Sequence, residues 1–137
     1  WISAPIFFAS SYPRIGYEDA KKMGADIQSV RQFRDLGVSG MIARIPKGQR
    51  FYLTIDIDGF DPSIASGTGT PSHGGFLYYE ILEFLDALTK HGDIIGIDLV
   101  EVAPDYDLTG STATLAAQLL LNLIGRIHHN RKNDAGK

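Results

Sequence analysis

Cysteine is absent from the 137 residues of this sequence, which excludes disulfide bonds and thiolate chemistry and fits a reducing compartment. Positive charge is not in excess either, since the formal net charge is −3. A surface with this balance gains little from the phosphate backbone of nucleic acid or from anionic lipid. These features predict a cytoplasmic protein without a nucleic-acid or membrane partner.

Long apolar runs are also missing. The longest, over residues 115–125, is interrupted by Gln118 and Asn122 and is shorter than the roughly 20 residues that a transmembrane helix needs. We interpret it as a core helix. The composition, 44% hydrophobic and 21% charged, is ordinary for a globular protein, and the length suffices for one domain with a sizeable core.

Apolar periodicity and Gly/Pro positions predict an alternation of strands and helices. Strands are predicted at residues 6–9, 26–29, 51–57 and 94–102, and helices at residues 17–23, 31–36, 39–45, 76–92 and from 111 or 112 onward. The last two strands are continuous apolar runs, so we expect them to be buried on both faces. This order favours a mainly parallel central sheet in a three-layer αβα arrangement, whose ligands bind beyond the carboxyl ends of the strands.

Three aspartates end the third predicted strand, in the stretch FYLTIDIDGFDP. Asp56 and Asp58 are two residues apart, so in an extended chain both carboxylates point to the same side. Two desolvated carboxylates must share a proton, meet cations or bind metal. Carboxylate ligands without cysteine favour Mg²⁺ or Mn²⁺. The pair is therefore a candidate metal site.

An isolated Asp-x-Asp pair is also found in strand-end caps and solvated turns, so the motif alone leaves both interpretations open. Two neighbouring features favour metal binding. A loop rich in Gly, Ser and Thr follows over residues 61–75, and the next predicted strand has its own acids, Asp98 and Glu101. His73 in that loop has no evident partner, and we interpret it as a solvent-exposed residue; contact with substrate from the loop is the alternative.

Two stretches resemble the ureohydrolases, the arginase and agmatinase family. TIDIDGFDPSIASGTGTPSHGG, residues 54–75, resembles the third signature of that family. IDLVEVAP and the helix that begins STA, within residues 97–113, are similar to the segment that follows in those enzymes. Residues 19–46 resemble the agmatinase branch less specifically. The similarity thus extends over nearly the whole chain.

This resemblance implies an α/β fold with a binuclear manganese centre at the strand ends. By position, Asp56 and Asp58 would be metal ligands, Glu101 would hold the guanidinium group of the substrate, and Thr70 would lie near that group. The implied reaction is attack of a metal-bridging hydroxide on the guanidinium carbon. Agmatine would yield urea and putrescine, a step of polyamine biosynthesis. Arginine, guanidinobutyrate, guanidinopropionate and formimidoylglutamate are alternative substrates, and a homo-oligomer is implied.

Other loop residues have structural interpretations. Gly67, Gly69 and Gly75 would let the loop backbone pass close to the site. Asp61, followed by proline, is expected to shape a turn rather than bind metal. Ser66 stands where the family pattern has proline, which predicts a less ordered loop.

Two further family segments, Gly-Gly-Asp-His and Asp-Ala-His-x-Asp, carry the remaining metal ligands, and neither occurs in these 137 residues. The sequence begins at Trp1 inside an apolar run that resembles a strand already under way. We therefore expect residues 1–137 to be the C-terminal part of a single ureohydrolase domain, inactive in isolation. The alternative is a noncatalytic assembly or regulatory domain derived from this fold. A Mg²⁺-dependent phosphotransfer enzyme is disfavoured because no GxxxxGK[ST] loop is present.

Overall fold

The computed structural model describes residues 6–9 and 14–135, with side chains for residues 17–132. The strands are β1 (Ile6–Ala9), β2 (Asp26–Ser29), β3 (Arg50–Asp56) and β4 (Asp93–Val100), and the helices are α1 (Arg14–Lys22), α2 (Val30–Ile42), α3 (Tyr78–His91) and α4 (Ser111–Ala135). Short 3₁₀ turns at Ile57–Gly59 and Pro104–Tyr106 follow β3 and β4. The predicted alternation of strands and helices is confirmed.

The described strands pair in parallel, β1 with β2 and β3 with β4. In the second pair, Thr54 lies opposite Asp98 and Asp56 lies opposite Val100. The carboxyl ends of β3 and β4 therefore form one edge, where parallel α/β sheets bind their ligands. The predicted α/β class with parallel strands is confirmed.

One face of the β3–β4 pair is exposed, which makes the prediction of burial on both faces wrong for the described residues. Ile55 of β3 is buried, whereas its neighbour Thr54 is exposed and Tyr52 keeps 66% of its surface accessible. On β4, Ile94 is buried while Ile95 is 56% exposed. Successive side chains of a strand point to opposite faces, and no described element covers the face that carries Tyr52. At this sheet, two of the three predicted layers are present among the described residues.

The apolar core lies between the β3–β4 pair and helices α2, α3 and α4. Phe33 of α2 packs edge-to-face on Phe76 and on Phe84 of α3, with ring centroids 5.0 and 5.8 Å apart. Leu119 and Leu123 of α4 are fully buried. None of the helices within residues 14–135 combines the length and the apolar composition required to cross a bilayer.

Helix α2 contains a break at Gly37, where φ is 66° and ψ is 175°. Glycine adopts a positive φ without steric cost, so the chain changes direction there. The two short helices predicted on either side of this glycine correspond to the two parts of α2. The first part begins with a capping box, in which Gln32 N–H donates to Ser29 Oγ at 3.2 Å and Ser29 N–H donates to Gln32 Oε1 at 2.9 Å.

Arg34 of α2 connects the end of the glycine-rich loop to the start of α3. Its guanidinium group donates to Glu80 at 2.7 and 3.1 Å and to the carbonyl of Gly75 at 2.9 Å. Glu80 also accepts from the N–H of Leu77 at 2.7 Å. These bonds, that of Arg34 foremost, lower the pKa of Glu80. The contact fixes the point where the loop ends and α3 begins.

Substitution Glu80→Gln should remove a stabilising contribution that depends on pH. A carboxyl group with a lowered folded-state pKa stabilises the folded protein above its unfolded pKa and loses this contribution as the pH falls through the folded pKa. Near neutral pH, the variant should lose about 1 kcal/mol of unfolding free energy. The deficit should shrink on acidification, as measured by urea titrations at several pH values.

Glu83→Gln, on the exposed face of the same helix, is the matched control and should change stability little. A deficit of Glu80→Gln that stays constant from neutral to acid pH would contradict the assignment.

Candidate functional site

Asp56 and Asp58 lie where β3 passes into the first 3₁₀ turn. The N–H of Asp58 donates to Oδ1 of Asp56 at 3.1 Å, which closes a tight turn between them. Ile57, between the two, is fully buried and anchors this turn in the core. Asp56 is exposed and Asp58 is half-buried, so both carboxylates are accessible from the sheet edge.

The pKa of Asp56 is raised above its ordinary value. The main cause is that the surrounding protein removes part of the water around this carboxyl group, although the residue stays accessible; the negative charges of Asp58 and Glu101 add to it against the opposing Asp58 N–H bond. In the part of the chain that the structure describes, no ion pair includes any of these three acids. Their mutual repulsion would be relieved by a bound cation.

Thr70 reaches the same place from the glycine-rich loop. Its hydroxyl donates to Oδ2 of Asp58 at 2.6 Å, and its side chain is exposed to solvent. Three of the four residues predicted for the site, Asp56, Asp58 and Thr70, are thus joined by hydrogen bonds. His73, farther along the loop, is exposed, as the sequence predicts.

Glu101, the fourth residue predicted for the site, follows β4 immediately and has a φ of 64°. Within the described residues it is the non-glycine residue with a positive φ, a conformation that costs about 1–3 kcal/mol and occurs preferentially at functional sites. Its side chain is exposed, and its charge contributes to the raised pKa of Asp56. The motif gave no signal of this strain, because the family resemblance concerns residue types rather than backbone angles.

Asp98 is engaged inside the sheet rather than at its edge. It lies opposite Thr54 on β4 and accepts hydrogen bonds from the hydroxyls of Tyr52, at 2.9 Å, and of Thr54. Asp98 also raises the pKa of Tyr52. The sequence grouped Asp98 with Glu101, but Asp98 lies within β4, whereas Glu101 follows its end and adds its charge to the raised pKa of Asp56.

Asp61 shapes the turn after the aspartate pair, in line with the prediction. Its carboxylate accepts from the N–H of Ser63 at 3.0 Å and from the N–H of Gly74 at 2.9 Å. The Ser63 side chain foremost, together with these two bonds, lowers the pKa of Asp61. Gly75 packs directly on this turn, since an added Cβ would lie 2.5 Å from the carbonyl carbon of Phe60. The close approach predicted for Gly75 therefore exists.

Gly75→Ala should destabilise the protein strongly, whereas Gly69→Ala should not. The methyl group of the first variant would meet backbone atoms of residues 59–61, and backbone cannot rotate away as a side chain can. We expect a loss of about 2 kcal/mol or more in unfolding free energy. At Gly69, nothing lies within 4 Å of the added Cβ, so close packing does not explain this glycine. Thermal unfolding of both variants tests this, and equal melting temperatures would contradict it.

The donor atoms at this edge suit a hard divalent cation. They are carboxylate and hydroxyl oxygens, which Mn²⁺ and Mg²⁺ accept. Asp56 and Asp58 supply two carboxylates, and among the described residues no group of three or more His, Asp or Glu is arranged to hold a metal.

Comparison with known proteins agrees with the ureohydrolase resemblance. The model of the Arginase family matches residues 9–125. Putative agmatinase 3 of Schizosaccharomyces pombe is 39% identical over 111 residues, which cover 79% of this chain and 27% of the relative. Guanidinobutyrase of Pseudomonas aeruginosa is 34% identical over 119 residues, which cover 85% of this chain and 37% of the relative.

The solved structure of agmatine ureohydrolase of Thermoplasma volcanium has the same fold. It superposes with a TM-score of 0.81 at 28% identity, over 94% of this chain and 44% of that chain. The chain therefore spans less than half the length of each of these proteins. The family match includes both stretches that carry the resemblance, residues 54–75 and 97–113. The ureohydrolase resemblance is confirmed, and this chain belongs to the arginase family.

Proposed function

We propose that the protein containing this chain is a manganese-dependent amidinohydrolase, with agmatine as its preferred substrate. The main observation is the convergence of acids at one sheet edge. Asp56 and Asp58 are joined by a hydrogen bond, and the charge of Glu101 acts on Asp56. Such an edge attracts metal ions and a cationic guanidinium group. The names of the relatives, agmatinase and guanidinobutyrase among them, support the same class of substrate.

Asp56 and Asp58 would hold manganese through their carboxylate oxygens, together with donors from elsewhere in the complete protein. Bound manganese would supply Lewis-acid activation of water at neutral pH. Thr70 would fix the orientation of the Asp58 carboxylate, because its hydroxyl already donates to Oδ2. A carboxylate held in one orientation does not need to reorganise when the metal binds.

Glu101 would bind the guanidinium group of the substrate by charge-assisted hydrogen bonds. A planar cation held by a carboxylate presents its central carbon in one orientation, which favours attack by water. The positive φ of Glu101 turns the chain where β4 ends and keeps the carboxylate at the edge shared with β3. Hydrolysis of agmatine would give urea and putrescine.

Guanidinobutyrate is the second candidate substrate. The 34% identity with the guanidinobutyrase of P. aeruginosa favours it, while the 39% identity with the putative agmatinase of S. pombe favours agmatine. The two substrates share the guanidinium group and differ at the far end, which is an amine in agmatine and a carboxylate in guanidinobutyrate. Residues that contact that end decide between them.

The test is an assay of the full-length natural protein, loaded with Mn²⁺, against agmatine, guanidinobutyrate, guanidinopropionate, arginine and formimidoylglutamate. We expect urea from agmatine with the highest kcat/KM of the five. Absence of hydrolysis with all five substrates would refute the proposal. A polypeptide limited to residues 1–137 should be inactive, and urea release from it at a normal enzymatic rate would contradict the need for further metal ligands.

Three expectations from the sequence stay predictions: the assignment of residues 1–137 to the C-terminal part of one domain, the cytoplasmic location and the homo-oligomeric state.

A further inference from the structure

We infer that Asp107 and Thr112 are positioning residues, which hold the glycine-rich loop at Gly67 and thereby set Thr70 against Asp58. We call Asp107, Thr112 and the backbone of Gly67 the Gly67 clamp. The contacts of this clamp do not depend on the reaction, whereas its effect on catalysis rests on the function proposed above.

The clamp begins with a buried carboxylate at the start of α4. Asp107 is 8% exposed, and its Oδ1 accepts from the N–H of Thr109 at 3.0 Å and from the hydroxyl of Thr109 at 2.6 Å. Its Oδ2 accepts from the N–H of Thr112 at 2.6 Å. These bonds, that of the Thr109 hydroxyl foremost, hold the pKa of Asp107 well below its usual range. An ionised acid thus caps the first turn of α4.

The capped turn presents the hydroxyl of Thr112 to the loop. Thr112 is 1% exposed, and its Oγ1 accepts from the N–H of Gly67 at 2.9 Å. An added Cβ at Gly67 would lie 2.7 Å from Cβ of Asp107 and 3.0 Å from Oγ1 of Thr112. The loop therefore approaches α4 closely enough to require glycine, and the hydrogen bond is shielded from water.

Gly67 also connects the loop to the segment after β4. Its carbonyl accepts from the N–H of Ala103 at 2.8 Å, two residues beyond Glu101. Both backbone polar groups of Gly67 are thus engaged with segments that adjoin the candidate site. One residue joins the loop after β3, the chain after β4 and the start of α4.

The stretch from Gly67 to Thr70 has few other contacts that would fix it. Thr70, three residues after Gly67, is exposed and makes its hydrogen bond to Asp58. Thr68 between them is buried, but its hydroxyl has no hydrogen-bond partner among the described residues. The orientation of Thr70 consequently depends on where the clamp holds Gly67. Neither clamp side chain hydrogen-bonds to Asp56 or Asp58, so both act through the backbone of residues 67–70.

Two substitutions of Thr112 in the full-length, manganese-loaded protein test the clamp. Thr112→Val keeps the shape and removes the acceptor, whereas Thr112→Ser keeps the hydroxyl. Loss of a buried hydrogen bond should accelerate amide hydrogen exchange across residues 67–70 by on the order of tenfold in the Val variant. In assays with agmatine, run well below the unfolding temperature, kcat should fall by about tenfold in the Val variant, with a smaller change in KM. The Ser variant should resemble wild type in both measurements.

Thr89→Val is the matched control for lost stability alone. Thr89 of α3 is also buried, and its hydroxyl donates to the carbonyl of Asp86 at 2.8 Å. It lies shortly before β4 begins, away from the carboxyl ends of β3 and β4. This variant should destabilise the protein without changing loop exchange or kcat. The clamp is overturned if Thr112→Val leaves exchange and kcat at wild-type values, or if Thr89→Val reproduces its losses.

The structural and catalytic parts can fail separately. If the wild-type protein hydrolyses none of the five guanidino and formimidoyl compounds, the proposed function fails. Hydrogen exchange still tests whether Thr112 holds the loop at Gly67. Faster exchange at residues 67–70 in Thr112→Val than in Thr112→Ser supports it, and equal exchange overturns it.

Discussion

Asp58→Ala in the full-length protein should lose most of its bound manganese and nearly all of its amidinohydrolase activity. The substitution removes one of the two carboxylates at the end of β3 and deprives the Thr70 hydroxyl of its acceptor. Loss of a residue that hydrogen-bonds to a metal ligand typically lowers metal affinity 10- to 100-fold. Loss of the ligand itself should lower the affinity further. We therefore expect manganese affinity to fall by at least about a hundredfold. Metal analysis after dialysis at fixed free Mn²⁺ measures this directly.

Asp105→Ala is the control for a general loss of negative charge. Asp105 is an exposed acid in the 3₁₀ turn after β4 and has no role in the proposed site. Its substitution should leave manganese content and activity unchanged. An Asp58→Ala protein that is folded and retains full manganese occupancy would remove Asp58 from the metal site.

Glu101→Gln should retain its manganese but have much lower activity. Glutamine keeps the size of the side chain but cannot pair its charge with a guanidinium cation. A hydrogen bond to a charged group contributes about 1.5–3 kcal/mol, so kcat/KM for agmatine should fall by on the order of one to two powers of ten. Steady-state kinetics and metal analysis of the same sample test both halves of this expectation. Unchanged kcat/KM, or a loss of metal equal to that of Asp58→Ala, would contradict the role of Glu101.

Glu101→Gly separates the function of this residue from its backbone strain. Glycine accepts a φ of 64° without the steric cost that glutamate has there. The Gly variant should therefore be inactive yet more stable than wild type by roughly 1 kcal/mol. Glu101→Gln keeps the strain and should melt near the wild-type temperature. A destabilised Gly variant would show that the side chain of Glu101 has a structural role that outweighs the strain.

The elements that form the site could be predicted from the sequence because their signals are local. Residues 51–57 and 94–102 are rich in β-branched and aromatic residues, and the structure has β3 and β4 at these places. The prediction that Asp56 and Asp58 lie together assumed an extended chain, whereas in the structure a 3₁₀ turn that begins after Asp56 joins them through the Asp58 N–H bond. Gly37 could be recognised as a helix break because a positive φ there is a property of glycine itself.

Features that depend on tertiary contacts could not be predicted in this way. Gly67 and Gly69 look alike in the sequence, but only Gly67 lies against another segment. The sequence predicts that the last helix starts at residue 111 or 112, whereas the contact of Thr112 with a loop 45 residues earlier has no local signal. The exposed face of β3 was missed for a related reason, since a continuous apolar run indicates burial without showing which elements supply it.

Anomalous diffraction at the manganese absorption edge, from crystals of the full-length protein grown with Mn²⁺, would locate the bound metal. We expect manganese bound by the carboxylates of both Asp56 and Asp58 at the edge where β3 and β4 end. Manganese bound by other residues, with both aspartates free of metal, would contradict this expectation.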